Sequence, residues 1–158
     1  MRHPHPQPGI RSPFRLTPVL AGGQDFGGAD DLAEQAGEQP HARKRVLLVE
    51  DEFLLSAVLS ADLQECGYEV LGPFATLSRG MEAVESESFD GAILDINLKG
   101  EMVYPLAEEL LRRGIPFLFL SGYEAANVPA VFRGHTRLAK PADPDVLLRA
   151  VRNMLAAA

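Results

Sequence analysis

The stretch that decides the fold runs from Val46 to Glu52 and reads VLLVEDE. Its first four residues are apolar without interruption, as expected of a short strand that is buried on both faces of a parallel sheet. Three acidic residues, Glu50, Asp51 and Glu52, follow at once. A buried strand that ends in acidic residues is typical of an α/β sheet whose functional groups lie beyond the carboxyl ends of its strands.

Strands and helices alternate from this point to the end of the chain. Apolar runs predict strands at residues 46–49, 68–71, 91–94, 117–120 and 136–139. Helical spacing predicts helices at 53–66, 77–86 and 104–113, and a last one that opens at Asp143-Pro144. Such alternation predicts a doubly wound, five-stranded parallel sheet with the flavodoxin-like order 2-1-3-4-5.

Two details of this reading depend on helical spacing and on turn residues. In the first helix we expect an inward face formed by Leu55, Val58, Leu59, Leu63 and Cys66, with Gly67 as the stop signal. Gly72-Pro73 is expected to end the second strand. Ser121 and Lys140 are only 19 positions apart, and Gly122, Pro129 and Gly134 lie between them. The fourth helix is therefore predicted to be short or irregular.

Polar side chains follow four of the predicted strands. The first strand ends in residues 50–52, the third in Asp95 and the fourth in Ser121, and the fifth ends at Lys140. Because the carboxyl ends of parallel strands meet at one edge of the sheet, we expect these groups to converge there. Each residue alone could be a turn residue or a solvated charge, but their joint placement at four strand ends favours a site.

A group of carboxylates at one edge needs a cation, because ionised carboxylates repel one another in a low-dielectric crevice. A hard divalent cation with oxygen ligands fits best, and Mg²⁺ is the expected cofactor. Asp51 and Asp95 are predicted as direct ligands and Glu50 as a ligand through a water molecule. The backbone carbonyl of Asn97, just past the strand end, could supply a further oxygen.

Phosphoryl transfer is the chemistry that this set favours, since Mg²⁺ readily accepts a phosphoryl oxygen as a ligand. Asp95 is predicted to be the nucleophile that forms an acyl phosphate. Lys140 is expected to neutralise the charge that develops on the phosphoryl oxygens. Ser121 is expected to hydrogen-bond a phosphoryl oxygen after transfer.

Four segments resemble the response-regulator receiver family of two-component signalling. They are VLLVEDE at 46–52, FDGAILDINL at 89–98, PFLFLSGY at 116–123 and LAKP at 138–141. The resemblance runs from about residue 44 to the C-terminus. It implies the roles assigned above, a sensor histidine kinase as the phosphoryl donor, and a cis peptide bond at Lys140-Pro141.

A narrower resemblance is to the FATGUY receivers, which are mostly single-domain regulators of alphaproteobacterial stress signalling. It is carried by GEMVYP at 100–105, RRGIPFLFLSGY at 112–123 and Phe-Arg-Gly at 132–134. Ser121 replaces the usual threonine of that family and keeps the hydroxyl. Ordinary receivers carry an aromatic switch residue on the fifth strand, where this chain has Arg137. The resemblance therefore implies a switch that works through loop ordering.

The composition sets the remaining expectations. Residues 1–43 hold six of the twelve prolines and six of the fourteen glycines, which predicts a disordered tail before a receiver domain at 44–158. The net charge of −7 argues against nucleic-acid binding. No apolar run is long enough to cross a membrane, and the single cysteine suits a reducing compartment, so a cytoplasmic location is expected.

The chain is accordingly expected to be a stand-alone receiver, not an enzyme, with at most weak autodephosphorylation. Its partners would be a sensor histidine kinase and a downstream protein or phosphotransfer partner. Phe53, Leu54, Ala57 and Ala61 lie off the inward face of the first helix and are hypothesised to dock on a kinase or phosphotransfer helix; the alternative is that they are scattered exposed apolar residues without a role. Two alternatives stay open: a small Mg²⁺-dependent phosphohydrolase with an aspartyl-phosphate intermediate, and a degenerate receiver that only binds partners.

Overall fold

A computed structural model of the chain describes residues 43–122 and 128–157. The prediction of a disordered tail at 1–43 concerns residues that lie outside this part of the chain, apart from Arg43. The described residues contain a parallel sheet flanked by helices. The strands of the sheet are β1 (Arg45–Val49), β2 (Glu69–Phe74), β3 (Gly91–Asp95), β6 (Phe117–Ser121) and β7 (Arg137–Ala139).

Three of the four α-helices of the described residues connect successive strands of the sheet, and the fourth follows the last strand. The helices are α1 (Phe53–Glu65), α2 (Leu77–Ser86), α3 (Tyr104–Arg113) and α4 (Pro144–Ala156). The strand order is β2-β1-β3-β6-β7 with every pair parallel, which confirms the predicted doubly wound sheet and its 2-1-3-4-5 order. Two of the predicted helices, 77–86 and 104–113, have the predicted bounds.

The core lies on both faces of the sheet because successive strand residues point to opposite sides. On one face Leu47, Val49, Leu94 and Phe119 pack among the buried residues of α2 and α3. On the other face the alternate strand residues pack with α1 and α4, through Val46, Leu48, Ile93, Leu118, Leu59 and Leu147. The central strands β1, β3 and β6 are apolar along most of their length because neither of their faces meets water, whereas the edge strands β2 and β7 are partly exposed.

The prediction that Gly72-Pro73 ends β2 is wrong. The strand continues to Phe74, and its pairing with β1 shifts register between Leu47 and Val49. Gly72 has a φ of 113°, and a Cβ there would lie 2.7 Å from the carbonyl oxygen of Leu48. Proline is tolerated because β2 is an edge strand, whose outer side needs no ladder hydrogen bond.

Helix α1 also differs from its predicted orientation. Leu59 and Leu63 are buried and Leu55 is partly buried, as expected, but Val58 and Cys66 are exposed. Ser56 takes a buried position instead, where its hydroxyl donates to the carbonyl of Phe53 at 3.0 Å. A helix that is apolar on most sides does not define its inward face by spacing alone.

A small antiparallel hairpin, β4 (Asn97–Leu98) and β5 (Glu101–Met102), lies between β3 and α3 and was not predicted. Its turn places Lys99 and Gly100 at φ values of 53° and 95°. The Asn97 side-chain oxygen accepts a hydrogen bond from the Gly100 amide at 2.6 Å. Strands of two residues are too short to show alternation in a sequence, so only Gly100 signalled this turn.

The described residues between β6 and β7, 122 and 128–136, have the irregular character predicted for this segment. Within its described residues the only helical element is a 3₁₀ turn at Ala130–Phe132. Phe132 is completely buried. Its ring stacks on Tyr104 at a centroid distance of 5.5 Å and meets Phe119 edge-on at 5.6 Å. This irregular segment is therefore anchored to the core.

Candidate functional site

The sheet order brings the predicted site residues to one edge. Glu50 and Asp51 directly follow β1, and Asp95 is the last residue of β3. Ser121 is the last residue of β6, and Lys140 directly follows β7. Since β1, β3, β6 and β7 are neighbours and run in parallel, their carboxyl ends form one continuous rim.

Three carboxylates share this rim. One oxygen atom of each of Glu50, Asp51 and Asp95 lies within 4.8 Å of the others. Glu50 and Asp95 are buried, whereas Asp51 is half-buried. The backbone holds the two buried groups in place: the Glu52 amide donates to Glu50 Oε1 at 3.0 Å, and the Asn97 amide donates to Asp95 Oδ1 at 3.2 Å.

Lys140 neutralises part of this charge. Its Nζ lies 2.7 Å from Glu50 Oε2 and 2.7 Å from Asp95 Oδ2, and its side chain is only 12% exposed. The Lys140 amide donates to the Ser121 carbonyl at 2.8 Å, which extends the β6–β7 ladder by one residue. The end of β7 therefore delivers the ammonium group directly to the carboxylates of β1 and β3.

Burial and ion pairing act on these groups in opposite directions. Burial raises the pKa of Glu50 and of Asp95 above the usual carboxyl values, although the Lys140 ammonium opposes this shift in both. For Lys140, burial lowers the pKa, but the contacts with Asp95 and Glu50 outweigh it, and the net shift is upward. The single Lys140 ammonium therefore does not fully offset the negative charge of the buried Glu50 and Asp95 and of Asp51 beside them.

The donor set fits a hard divalent cation. It consists only of oxygen atoms, which Mg²⁺ prefers. Glu50 Oε2 is buried and, apart from the Lys140 ammonium, has no hydrogen-bond partner among the described residues. A second cation at the half-buried Asp51 would offset the remaining negative charge. Glu50, Asp51 and Asp95 are thus brought together as a cluster able to hold a metal ion.

The side chains of the other two predicted site residues, Ser121 and Asn97, form no hydrogen bond with the carboxylate cluster or with Lys140 among the described residues. Ser121 is half-buried at the end of β6, and within the described chain its hydroxyl is not a partner of Lys140 or Asp95. Asn97 follows Asp95 by two residues, and its side chain is engaged in the hairpin turn. The role predicted for the Asn97 carbonyl stays a prediction.

Glu52 was expected at the rim with the other acidic residues that follow β1, but its contact with Lys140 was not predicted, nor was the stacking of Tyr104 on Phe132. Glu52 Oε1 lies 3.5 Å from Lys140 Nζ, so a third carboxylate reaches the ammonium. The only signal for it was its position directly after Asp51. Tyr104, at the start of α3, stacks on Phe132 at a centroid distance of 5.5 Å. An aromatic side chain of α3 thus packs on the segment before β7, although β7 itself supplies none.

Comparisons with known proteins agree with this geometry, although no family model matches the chain. The uncharacterized transcriptional regulatory protein YbdJ of Bacillus subtilis is 32% identical over 116 residues, which cover 70% of this chain. The matched region spans 50% of YbdJ, so the chain corresponds to about half the length of that relative.

Solved structures match over nearly their whole length. SdrG from Sphingomonas melonis Fr1 is 35% identical with a TM-score of 0.65, and the match covers 72% of this chain and 97% of SdrG. The BeF₃-activated conformation of SdrG from Pseudomonas melonis Fr1 matches with 35% identity and a TM-score of 0.61, over 70% of this chain and 95% of that one.

A CheY-like response regulator receiver domain protein from Methanospirillum hungatei JF-1 is 28% identical with a TM-score of 0.66. That match covers 73% of this chain and 96% of the other. Within the described residues, none of the helices has the length and apolar character needed to span a membrane. Sheet order, rim chemistry and these likenesses agree, and the chain belongs to the response regulator receiver family of two-component signalling.

Proposed function

We propose that this chain is a receiver that accepts a phosphoryl group on Asp95 from a sensor histidine kinase in the cytoplasm. The observation that carries the proposal is the buried Lys140 ammonium, which lies 2.7 Å from both Asp95 and Glu50, beside the half-buried Asp51. This arrangement combines a nucleophilic carboxylate, a cation for phosphoryl oxygens and a group of metal ligands on one rim.

In the transfer step, a carboxylate oxygen of Asp95 attacks the phosphorus of a phosphohistidine. The P–N bond breaks, its electron pair stays on the imidazole nitrogen, and water supplies the proton for that nitrogen. The product is an acyl phosphate on Asp95. Lys140, which pairs with the Asp95 carboxylate before transfer, is placed to stabilise the negative charge of the phosphoryl oxygens after it. The Ser121 hydroxyl is expected to donate a hydrogen bond to one of these oxygens.

Mg²⁺ is the proposed cofactor, held by Asp51 and Asp95 directly, by Glu50 through a water molecule and by the Asn97 carbonyl. When bound, it supplies positive charge for the phosphoryl oxygens. Output is proposed to occur by protein binding or onward phosphorelay. The FATGUY-like segments support a role in stress signalling.

The phosphohydrolase alternative finds no support at the site. Hydrolases that use an aspartyl phosphate generally place an acid or base two residues after the nucleophile. That position is Asn97, whose side chain is neutral and accepts a hydrogen bond from the Gly100 amide. We therefore propose that the chain is a phosphoacceptor switch with at most weak autodephosphorylation.

A labelling experiment tests the proposal. With acetyl phosphate and Mg²⁺, the wild-type protein is expected to take up an acid-stable, base-labile phosphate, and EDTA or the Asp95→Asn substitution should abolish it. Asp90→Asn is the matched control, because Asp90 precedes the first residue of β3 and its carboxylate contacts Lys44, away from the rim. Equal labelling of wild type and Asp95→Asn would contradict the proposal.

The kinase is proposed to dock on the outer side of α1. Five apolar residues there are exposed, and we call them the α1 patch: Phe53, Leu54, Ala57, Val58 and Ala61. Phe53 and Leu54 are 81% and 77% exposed. Exposed apolar side chains grouped on one helix are typical of a protein-binding surface, and α1 begins directly after the rim residues Asp51 and Glu52.

Charges placed in the α1 patch should therefore slow transfer from a kinase. We expect Leu54→Glu with Ala57→Glu to reduce the transfer rate at least about tenfold, as for central interface residues, while labelling by acetyl phosphate stays unchanged. Gln64→Glu with Asn153→Glu adds the same charge outside the patch and is the control. The measurement is the rate of phosphate transfer from a purified sensor histidine kinase that labels the wild-type protein; a normal rate in the patch variant would exclude this docking surface.

A further inference from the structure

Lys140 is shared by three carboxylates, and the third has no role in the site described so far. Glu52 Oε1 lies 3.5 Å from Lys140 Nζ, whereas Glu50 and Asp95 are each at 2.7 Å. Glu50 and Asp95 reach the ammonium from the buried side. The Glu52 side chain is 65% exposed and reaches it from the solvent side.

The placement of the Glu52 side chain is not explained by helix capping. Glu52 is the N-cap residue of α1, yet its side chain makes no capping hydrogen bond. N-cap side chains usually accept a hydrogen bond from an amide in the first turn. Here the Glu52 amide is held by Glu50 Oε1 at 3.0 Å, and the carboxylate is directed to Lys140. The local backbone therefore presents Glu52 to the ammonium group.

We propose that Glu52 is a positioning residue that draws Lys140 away from a phosphoryl group on Asp95 and so weakens the hold of the site on that group. This inference rests on the proposed function, because it concerns the same aspartate. Two effects act in one direction. Glu52 competes for the ammonium, and its own negative charge repels phosphoryl oxygens nearby.

The expected effect is modest because water and salt screen an exposed carboxylate. Removing such a pair usually changes an equilibrium by about two- to fivefold. The direction is specific, however. Loss of Glu52 should strengthen binding of a phosphoryl mimic, whereas loss of a residue that merely supports the fold would weaken it.

The test measures BeF₃⁻ affinity of the full chain at saturating Mg²⁺ in four forms: wild type, Glu52→Gln, Glu52→Asp and Glu65→Gln. Glu65 is exposed at the far end of the same helix and controls for net charge. We expect Glu52→Gln to bind BeF₃⁻ about two- to fivefold more tightly, Glu52→Asp to bind it more tightly by a smaller factor because the charge remains, and Glu65→Gln to match wild type. Aspartate keeps the charge but is one methylene too short to reach Lys140.

A second readout needs neither metal nor phosphate. In the metal-free protein, the Lys140 side-chain NMR signal at Cε should shift in Glu52→Gln and Glu52→Asp but not in Glu65→Gln. Wild-type affinity in Glu52→Gln, or in Glu52→Asp alone, would overturn the proposed contact. If wild type is labelled on Asp95 but Glu52→Gln binds BeF₃⁻ with wild-type affinity, only the proposed role of Glu52 fails. If wild type takes no phosphate, the proposed function fails with it.

Discussion

Replacing Lys140 with methionine is expected to lower the free energy of unfolding by about 3–5 kcal/mol at neutral pH, because it leaves buried carboxylates without their cation. Glu50 and Asp95 are 0% and 5% exposed, and Lys140 is the one cationic side chain of the described residues that pairs with them. Methionine is unbranched and of similar length, so it keeps most of the packing. The loss therefore reports the uncompensated charge.

The pH dependence of this loss follows from the two carboxyl groups. Burial already raises the pKa of Glu50 and Asp95, and removing the ammonium that opposes this shift raises both further. A folded state with raised carboxyl pKa values binds protons that the unfolded state, with values near about 4, has released. Stability of the variant should therefore rise as pH falls through this window, and its deficit should shrink toward about pH 4.

Urea unfolding between pH 4 and 8 without divalent cations measures this effect. Lys44→Met is the control, because Lys44 forms an exposed pair with Asp90 and should cost at most about 1 kcal/mol. Adding Glu50→Gln to Lys140→Met should recover part of the loss. A Lys140→Met protein that unfolds like Lys44→Met at pH 7 would contradict the argument.

The Phe132→Ala substitution is also expected to lower the free energy of unfolding by a large amount, about 3–5 kcal/mol. Phe132 is completely buried, and its ring touches Tyr104, Phe117 and Phe119 at centroid distances of 5.5, 6.2 and 5.6 Å. Truncation would leave a cavity in the middle of this aromatic cluster. It would also release the 3₁₀ turn from the core, because no other residue of that turn is buried.

Val131→Ala provides the comparison, since Val131 is in the same turn but exposed, and it should change stability by no more than about 0.5 kcal/mol. The measurement is the midpoint and slope of urea unfolding for both variants. Similar, small effects for the two substitutions would show that the segment between β6 and β7 does not depend on Phe132 for its attachment.

The part of the fold that could be predicted is the part that depends on short-range pattern. β1 and β3 are continuous apolar runs, and helices 77–86 and 104–113 have clear amphipathic spacing with Thr76 and Gly114 at their boundaries. Asp143 caps α4 as predicted, with its carboxylate accepting from the Asp145 and Val146 amides. Local hydrogen bonds and periodic burial determine such elements, so they leave a signal in neighbouring residues.

Elements that depend on distant partners were predicted less well. β2 continues through Gly72-Pro73 because its pairing with β1 and its place at the sheet edge allow it. In α1, Val58 and Ser56 exchange the positions expected from spacing, since the helix is apolar on several faces and packing against the sheet and α4 decides which face turns inward. Neither outcome is encoded in the few residues around the position.

By itself, the sequence determined that acidic, hydroxyl and ammonium groups stand at the ends of four strands and so belong to one rim, because parallel strands end at a common edge. Only the tertiary structure decided how those groups are paired: that Lys140 is shared by Glu50, Asp95 and Glu52, that Asn97 is bound into a hairpin turn, and that Tyr104 rather than a residue of β7 stacks on Phe132. The physical reason is the separation along the chain of the residues that determine each feature. Strand-end placement follows from local pattern, whereas pairing at hydrogen-bond distance depends on sheet register and on packing between residues far apart in the chain.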